Sequence, residues 1–209
     1  MKDLPTIIFD FDGTLADSEK YVFEIFQKLS KKYLKRRLTI KEIEKLRLER
    51  QQNLLKHLKI SVFELAKIIS EIRKELNKSI HLVKPYKGIK KVLSYLKKKE
   101  ISIGIVSTNS QENIKIFLEK NKMDFFDFLN CGTSLLGKGR ILSKVIKERK
   151  YIKENVIYVG DEIRDIDAAR KIKIKVAVVT WGFNPKEALI KYNPDFIIEK
   201  PEELLLLVK

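Results

Sequence analysis

Short apolar runs of strand length recur along this 209-residue chain, and segments with helical spacing separate them. The first run, Thr6 to Phe11, follows Pro5, is interrupted only by Asp10, and gives way to Asp12 and Gly13. A run with no polar alternation suits a strand buried on both faces of a parallel sheet. Others begin at Ile101 (ISIGIVS), Phe125 (FFDFLNC), Val156 (VIYVGD), Lys175 (KVAVVT) and Asp195 (DFIIE). Strand and helix in alternation predict an α/β chain, a doubly wound parallel sheet with helices on both faces.

One interval breaks this rhythm. About 90 residues lie between the first two strand-like runs, where a crossover needs only a dozen or so. Within it, apolar residues fall at helical spacing: Val22, Phe23, Phe26 and Leu29; Ile43, Leu46, Leu54 and Leu58; Phe63, Leu65, Ile68, Ile69 and Ile72. The pattern predicts a small all-helical domain, residues 18–83, inserted into a core formed by 1–17 and 84–209. Pro85 and Gly88 mark the return, and Ile89, Val92, Leu93 and Leu96 form the apolar face of the crossover helix.

With 44% hydrophobic residues, a chain of this size can fill a core. No apolar run approaches the roughly 20 residues of a membrane span, and the N-terminus lacks a signal-peptide cleavage pattern, so a cytoplasmic location is expected. The single cysteine, Cys131, excludes an internal disulfide and reads as a small buried thiol. Forty-four basic against 28 acidic residues give a formal charge of +16. Such a charge favours anionic partners. The basic residues are dispersed over polar helix faces without interleaved aromatics, which argues for a solvated surface and against a nucleic-acid groove. His57 and His81 are expected on insert surfaces.

The strongest local signal is DFDGTLADS, Asp10 to Ser18. Alternate residues of an extended chain point the same way, so Asp10 and Asp12 converge in the crevice beyond the carboxyl ends of the strands. Paired carboxylates there suit a metal and a phosphate, with Gly13 permitting a sharp departure and Thr14 adding a hydroxyl. Turn capping by either aspartate is the structural alternative.

This string resembles the first motif of the haloacid dehalogenase superfamily of hydrolases. The resemblance implies a second motif at Ser107, where the hydroxyl and the backbone amides of Thr108 and Asn109 bind phosphate at a helix start. Asn109, with Glu112 three residues on, also reads as an ordinary helix cap. It implies a third motif at Lys138, whose ammonium offsets charge between carboxylate and phosphate, with Arg140 as competitor. The fourth motif falls on VIYVGDEIRDIDAAR, with Asp161 as metal ligand, Asp165 supporting it and Glu162 as a further oxygen donor. Helix capping is the other reading of Asp161.

The implied enzyme is a magnesium-dependent phosphatase acting on small phosphate monoesters, a monomer or dimer. Asp10 attacks phosphorus, Asp12 transfers protons, and Mg2+ is held by Asp10, the carbonyl of Asp12, Asp161 and Asp165. The dehalogenases lack an acid at the position of Asp12 and need no metal, so Asp12 argues for phosphate. The insert matches the helical cap of the phosphoglycolate phosphatase-like branch, a lid that chooses the substrate. Arg47, Arg50, Gln51 and Gln52 are its candidate contacts, and Trp181, Gly182 and Phe183 are candidate cleft walls. The ending, VVTWGFNPKEALIKYNPDFIIEKPEELLLL, resembles the same branch. A phosphomutase, and a basic nucleic-acid-binding protein with a secondary phosphatase site, are the rival readings.

Overall fold

The computed structural model describes residues 4–48, 51–132 and 137–208, excluding the side chains of 47 and 51–54. Among these residues six strands form one parallel sheet: β1 (Thr6–Phe9), β2 (Ser102–Val106), β3 (Phe128–Asn130), β4 (Val156–Gly160), β5 (Lys175–Val179) and β6 (Phe196–Ile198). Their order, β3-β2-β1-β4-β5-β6, is that of a doubly wound α/β fold. β1 lies between β2 and β4, with Phe9 level with Ile105 and Val159. The chain therefore leaves these strands at adjacent points of one edge. β3 begins later than the apolar run suggested, because the Asp127 carboxylate takes the Ile103 N–H and the Ser102 hydroxyl and ends the pairing there.

Alternation along β1 sends Ile7 and Phe9 to one face and Ile8 to the other. On the first face, α5 (Ile89–Lys98) and α6 (Gln111–Lys120) supply Ile89, Val92, Leu93, Leu96, Ile114 and Phe117. The second is covered by α7 (Lys138–Glu148), α8 (Ile163–Lys171) and α9 (Lys186–Ile190), with Leu142, Ile166 and Leu189 buried.

Among the described residues, four α-helices lie between β1 and the return to the core ahead of α5: α1 (Glu19–Leu34), α2 (Ile40–Arg47), α3 (Gln51–Leu58) and α4 (Val62–Asn77). They form a small helical cap with its own apolar centre of Leu38, Ile43, Leu46 and Leu58, against which Phe23 and Phe26 pack. Capping boxes at Thr39–Glu42 and Ser61–Glu64 start α2 and α4. Phe63 departs from the expected apolar face. It is 69% exposed beside Lys67, since the first turn of α4 lies ahead of Leu65 and Ile68, the residues that pack. Both histidines are exposed, as expected.

The chain leaves and re-enters the core at one seam. The Tyr86 N–H donates to the Leu15 carbonyl at 3.1 Å and the Asp17 N–H to the Lys84 carbonyl at 2.9 Å, with Ala16 bridged antiparallel to Pro85. Among the described residues no helix is long and apolar enough to cross a membrane.

Gly104 of β2 lies level with Phe128, and a Cβ there would meet the Phe128 ring at 2.1 Å. The Arg149 guanidinium, 4.4 Å from the ring centroid, packs on that ring. Gly104→Ala is expected to cost about 1–3 kcal/mol through overpacking, read as a lower urea midpoint.

Candidate active site

At the end of β1 the backbone coils tightly. The Phe11 carbonyl accepts the N–H groups of Leu15 and Ala16 at 2.9 and 3.0 Å, while the Gly13 N–H donates to the Ala16 carbonyl at 3.0 Å. Gly13 has φ +75°, and a Cβ on it would stand 2.1 Å from Asp161 Oδ2. Only glycine suits both demands. This coil carries Asp10 and Asp12 into the crevice and neither caps a simple turn.

Asp10 is buried, and its Oδ2 accepts from Lys138 Nζ at 2.5 Å. The same ammonium donates to Asp165 Oδ1 at 2.6 Å. Lys138 is 2% exposed at the first turn of α7, whereas its competitor Arg140 is exposed at the surface. Burial alone would lower the Lys138 pKa, but the charges of Asp10 and Asp165 more than reverse this, and the ammonium stays protonated.

Asp12 is half-buried. Its Oδ1 accepts from the Ser18 hydroxyl at 2.7 Å and its Oδ2 from Asn109 Nδ2 at 2.8 Å. Burial pushes the carboxyl up to about 6, the Ser18 hydrogen bond opposes this, and the charge of Asp10 adds to it. Ser18, fully buried, stands at the N-cap position of α1 but makes no capping bond, its hydroxyl being spent on Asp12.

Asp161 leaves β4 fully buried, its Oδ1 accepting from the Thr14 hydroxyl and its Oδ2 from the Phe183 N–H, both at 2.7 Å. It does not cap α8. That helix is capped by Glu162, with Asp165 Oδ2 accepting the N–H groups of Asp161 and Glu162 at 3.1 and 3.0 Å. Burial drives the Asp161 carboxyl well above its ordinary value, and neighbouring Glu162, Asp165 and Asp10 push the same way. Burial likewise lifts Asp165 to about 6 despite Lys138. Gly160 exists for clearance: a Cβ there would meet Asp165 Oδ2 at 2.3 Å.

Ser107 is buried one residue past β2, and its Oγ accepts the Asn109 N–H at 3.1 Å. Thr108 is half-buried beside it. The cap of α6 is Ser110, whose hydroxyl accepts the Asn113 N–H. This corrects the capping alternative for Asn109. Asn109 Oδ1 is taken by the Ser110 N–H and by Asn113 Nδ2, leaving its Nδ2 for Asp12. Cys131 is half-buried, less deep than expected, with burial pushing its thiol up to about 11.

Trp181, Gly182 and Phe183, expected at the cleft, do approach it. Trp181 Nε1 donates to the Thr14 carbonyl at 3.1 Å, and a Cβ on Gly182 would lie 2.3 Å from the Gly13 carbonyl oxygen. Of the candidate cap contacts, Arg50 lies outside the described residues, as do the side chains of Arg47, at the end of α2, and of Gln51 and Gln52, at the start of α3. Sequence reasoning missed Asn113, Arg164 and Asn184. Arg164 pairs with Glu162, and Asn184 accepts the Ile163 N–H at 2.8 Å. The one available signal was Arg164, a cation enclosed by acids in DEIRDID.

Five carboxylates, of Asp10, Asp12, Asp161, Glu162 and Asp165, thus gather around Lys138 and Arg164. Oxygens of Asp10, Glu162 and Asp165 lie within 4.8 Å of one another. An all-oxygen set with surplus negative charge has the chemistry of a site for a hard divalent cation.

A sheet of this order with acids at the ends of β1 and β4 defines a doubly wound α/β core with its site at the strand ends and a helical cap inserted after β1. The family model for haloacid dehalogenase-like hydrolases matches residues 7–179, and the chain belongs to that family of enzymes. It is 31% identical over 203 residues to a phosphoglycolate phosphatase of Synechococcus elongatus, covering 97% of this chain and 96% of that protein. It is 26% identical over 220 residues to a pyrophosphatase PpaX of Listeria welshimeri, covering 99% and 97%. Among solved structures, a haloacid dehalogenase-like hydrolase from Streptococcus pneumoniae superposes with TM-score 0.81 at 22% identity over the full length of both chains.

Lys138→Met leaves the Asp10 and Asp165 carboxylates buried without their cation. We expect a loss of about 3–5 kcal/mol at neutral pH in denaturant titrations. Because the orphaned carboxyls then bind protons more tightly folded than unfolded, the loss should grow as pH rises and fade below the ordinary carboxyl range, about pH 4.

Proposed function

We propose that the chain is a magnesium-dependent phosphatase for small phosphate monoesters, working through an aspartyl-phosphate on Asp10. The observation that carries this reading is the pairing at the end of β1: a carboxylate fixed by a buried ammonium, and two residues on a carboxyl raised to about 6. The first suits a nucleophile held in place and aimed. The second suits an acid that carries a proton near neutral pH.

In this mechanism Asp10 attacks phosphorus in line, and the bond to the leaving oxygen breaks as Asp12 delivers its proton there. Asp12 then removes a proton from the water that hydrolyses the acyl phosphate, restoring Asp10. The Ser18 hydroxyl and the Asn109 carboxamide orient the Asp12 carboxyl throughout. Lys138 balances charge as phosphate approaches Asp10. Ser107, Thr108 and Asn109 are the candidate phosphate contacts. Magnesium, when bound, neutralises charge on the transferring phosphoryl group. Asp10, the Asp12 carbonyl, Asp161 and Asp165 are the candidate ligands, with Glu162 joined to them by the oxygen cluster.

The names of the two curated relatives support a small substrate. Phosphoglycolate and pyrophosphate each carry a second anionic group beyond the reacting phosphoryl, and compounds of that kind are the first to test. We take residues 18–83 as the lid that meets this group, with the seam at Leu15–Asp17 and Lys84–Tyr86 as its attachment.

Para-nitrophenyl phosphate should be hydrolysed in Mg2+, activity should vanish with EDTA and return with added Mg2+. Asp10→Asn should abolish turnover while circular dichroism stays native, with some fall in melting temperature from the lost ion pair; retained turnover would sink the mechanism. Asp12→Asn should lower kcat by about 10²–10⁴, the usual contribution of general acid-base catalysis.

A further inference from the structure

Helix α4 of the cap is joined to the site by a ladder of carboxamides. Asn77 Nδ2, at its C-terminus, donates to Asn113 Oδ1 at 2.8 Å. Asn113 Nδ2 donates both to the Arg73 carbonyl of α4, at 3.0 Å, and to Asn109 Oδ1, at 2.9 Å. Asn109 Nδ2 ends the series on Asp12 Oδ2 at 2.8 Å. Asn113 is fully buried in the first turn of α6, and Asn109 is nearly so.

The direction of the ladder is determined at both ends. The Ser110 N–H can only donate, so the Asn109 atom facing it at 2.7 Å is the oxygen, and the amide nitrogen must face Asp12. The Arg73 carbonyl can only accept, so the Asn113 nitrogen faces it, and the Asn113 oxygen faces Asn77. Every polar atom of the Asn113 side chain is satisfied, and two of its three partners belong to the cap. A buried carboxamide so arranged is costly to leave half-paired.

We propose that Asn113 is a positioning residue through which cap helix α4 sets the orientation of the Asp12 carboxyl. With α4 seated, Asn113 locks the Asn109 carboxamide so that its N–H meets Asp12. With α4 displaced, Asn113 loses the Arg73 and Asn77 bonds, and the Asn109 carboxamide loses its clamp. Asn113 touches neither substrate nor the reacting atoms. The proposal rests on Asp12 as the acid of the phosphatase reading, and it makes proton transfer depend on the seating of the lid.

The test is a double-mutant cycle on kcat with para-nitrophenyl phosphate in Mg2+, combining Asn113→Leu with Asn109→Ala. Alone, Asn113→Leu should lower kcat about tenfold or more, as small misplacements of catalytic groups do, with KM within about threefold. In the Asn109→Ala background the same change should alter kcat by less than about twofold, while the melting temperature falls in both backgrounds. Equal kcat losses in both backgrounds would show a merely structural role and overturn the proposal.

Asn77→Ala provides the second arm, because it lies on the half-buried cap side and spares the core. It should shift the side-chain amide resonances of Asn109 in NMR spectra of the substrate-free protein, and unchanged resonances would also overturn the proposal. This arm needs no turnover. Absence of hydrolysis by the unaltered protein would therefore count against the phosphatase reading, while the Asn109 resonances still decide the ladder.

Discussion

The site depends on one buried ammonium. Lys138 Nζ sits within hydrogen-bond reach of Asp10, at the end of β1, and of Asp165, in the first turn of α8. Three separately encoded elements meet there, and none of the three charges is tolerable inside the protein without the others. The arrangement also sets geometry. Asp165 uses its other oxygen to hold the backbone amides of Asp161 and Glu162, so the ion pair fixes where the chain leaves β4. The Phe183 N–H and the Thr14 hydroxyl then fix Asp161 in turn. Fold stability and the placement of the acids are thus one problem with one solution.

The sheet was legible in the sequence because strands buried on both faces must be almost wholly apolar, and an acid in such a run stands out. Asp10, Asp12 and Asp161 announced themselves in this way, and the helix after the insert was equally plain from Ile89, Val92, Leu93 and Leu96. Lys138 was different. Among 44 basic residues nothing local marks the one that is buried; only the resemblance pointed to it, and only the packing of α7 against α8 separates it from Arg140.

What stayed hidden shares a cause. Asn109, Asn113 and Asn77 act through bonds that span 4 to 97 positions of sequence, and a carboxamide carries no charge or periodicity to mark its task. Asn109 resembled a helix cap because Ser110, the true cap, is an equally good candidate one residue away. Phe63 obeyed helical spacing yet faces solvent, since periodicity gives a face but not where the neighbouring element ends. Cys131 shows the same limit at a strand end, half-buried where composition suggested full burial.

The seam that joins Leu15–Asp17 to Lys84–Tyr86 has a consequence for modularity. It holds the two ends of the inserted segment side by side by backbone bonds, which depend little on side-chain identity. The closure entropy of an excursion between fixed ends rises only slowly with its length, about 0.6 kcal/mol for each doubling. Helical units of different size and surface can therefore be exchanged across this junction with little disturbance to the sheet beneath. A transplanted unit would keep the host's chemistry, but it would have to supply its own counterparts of the Arg73 carbonyl and Asn77 to engage Asn113.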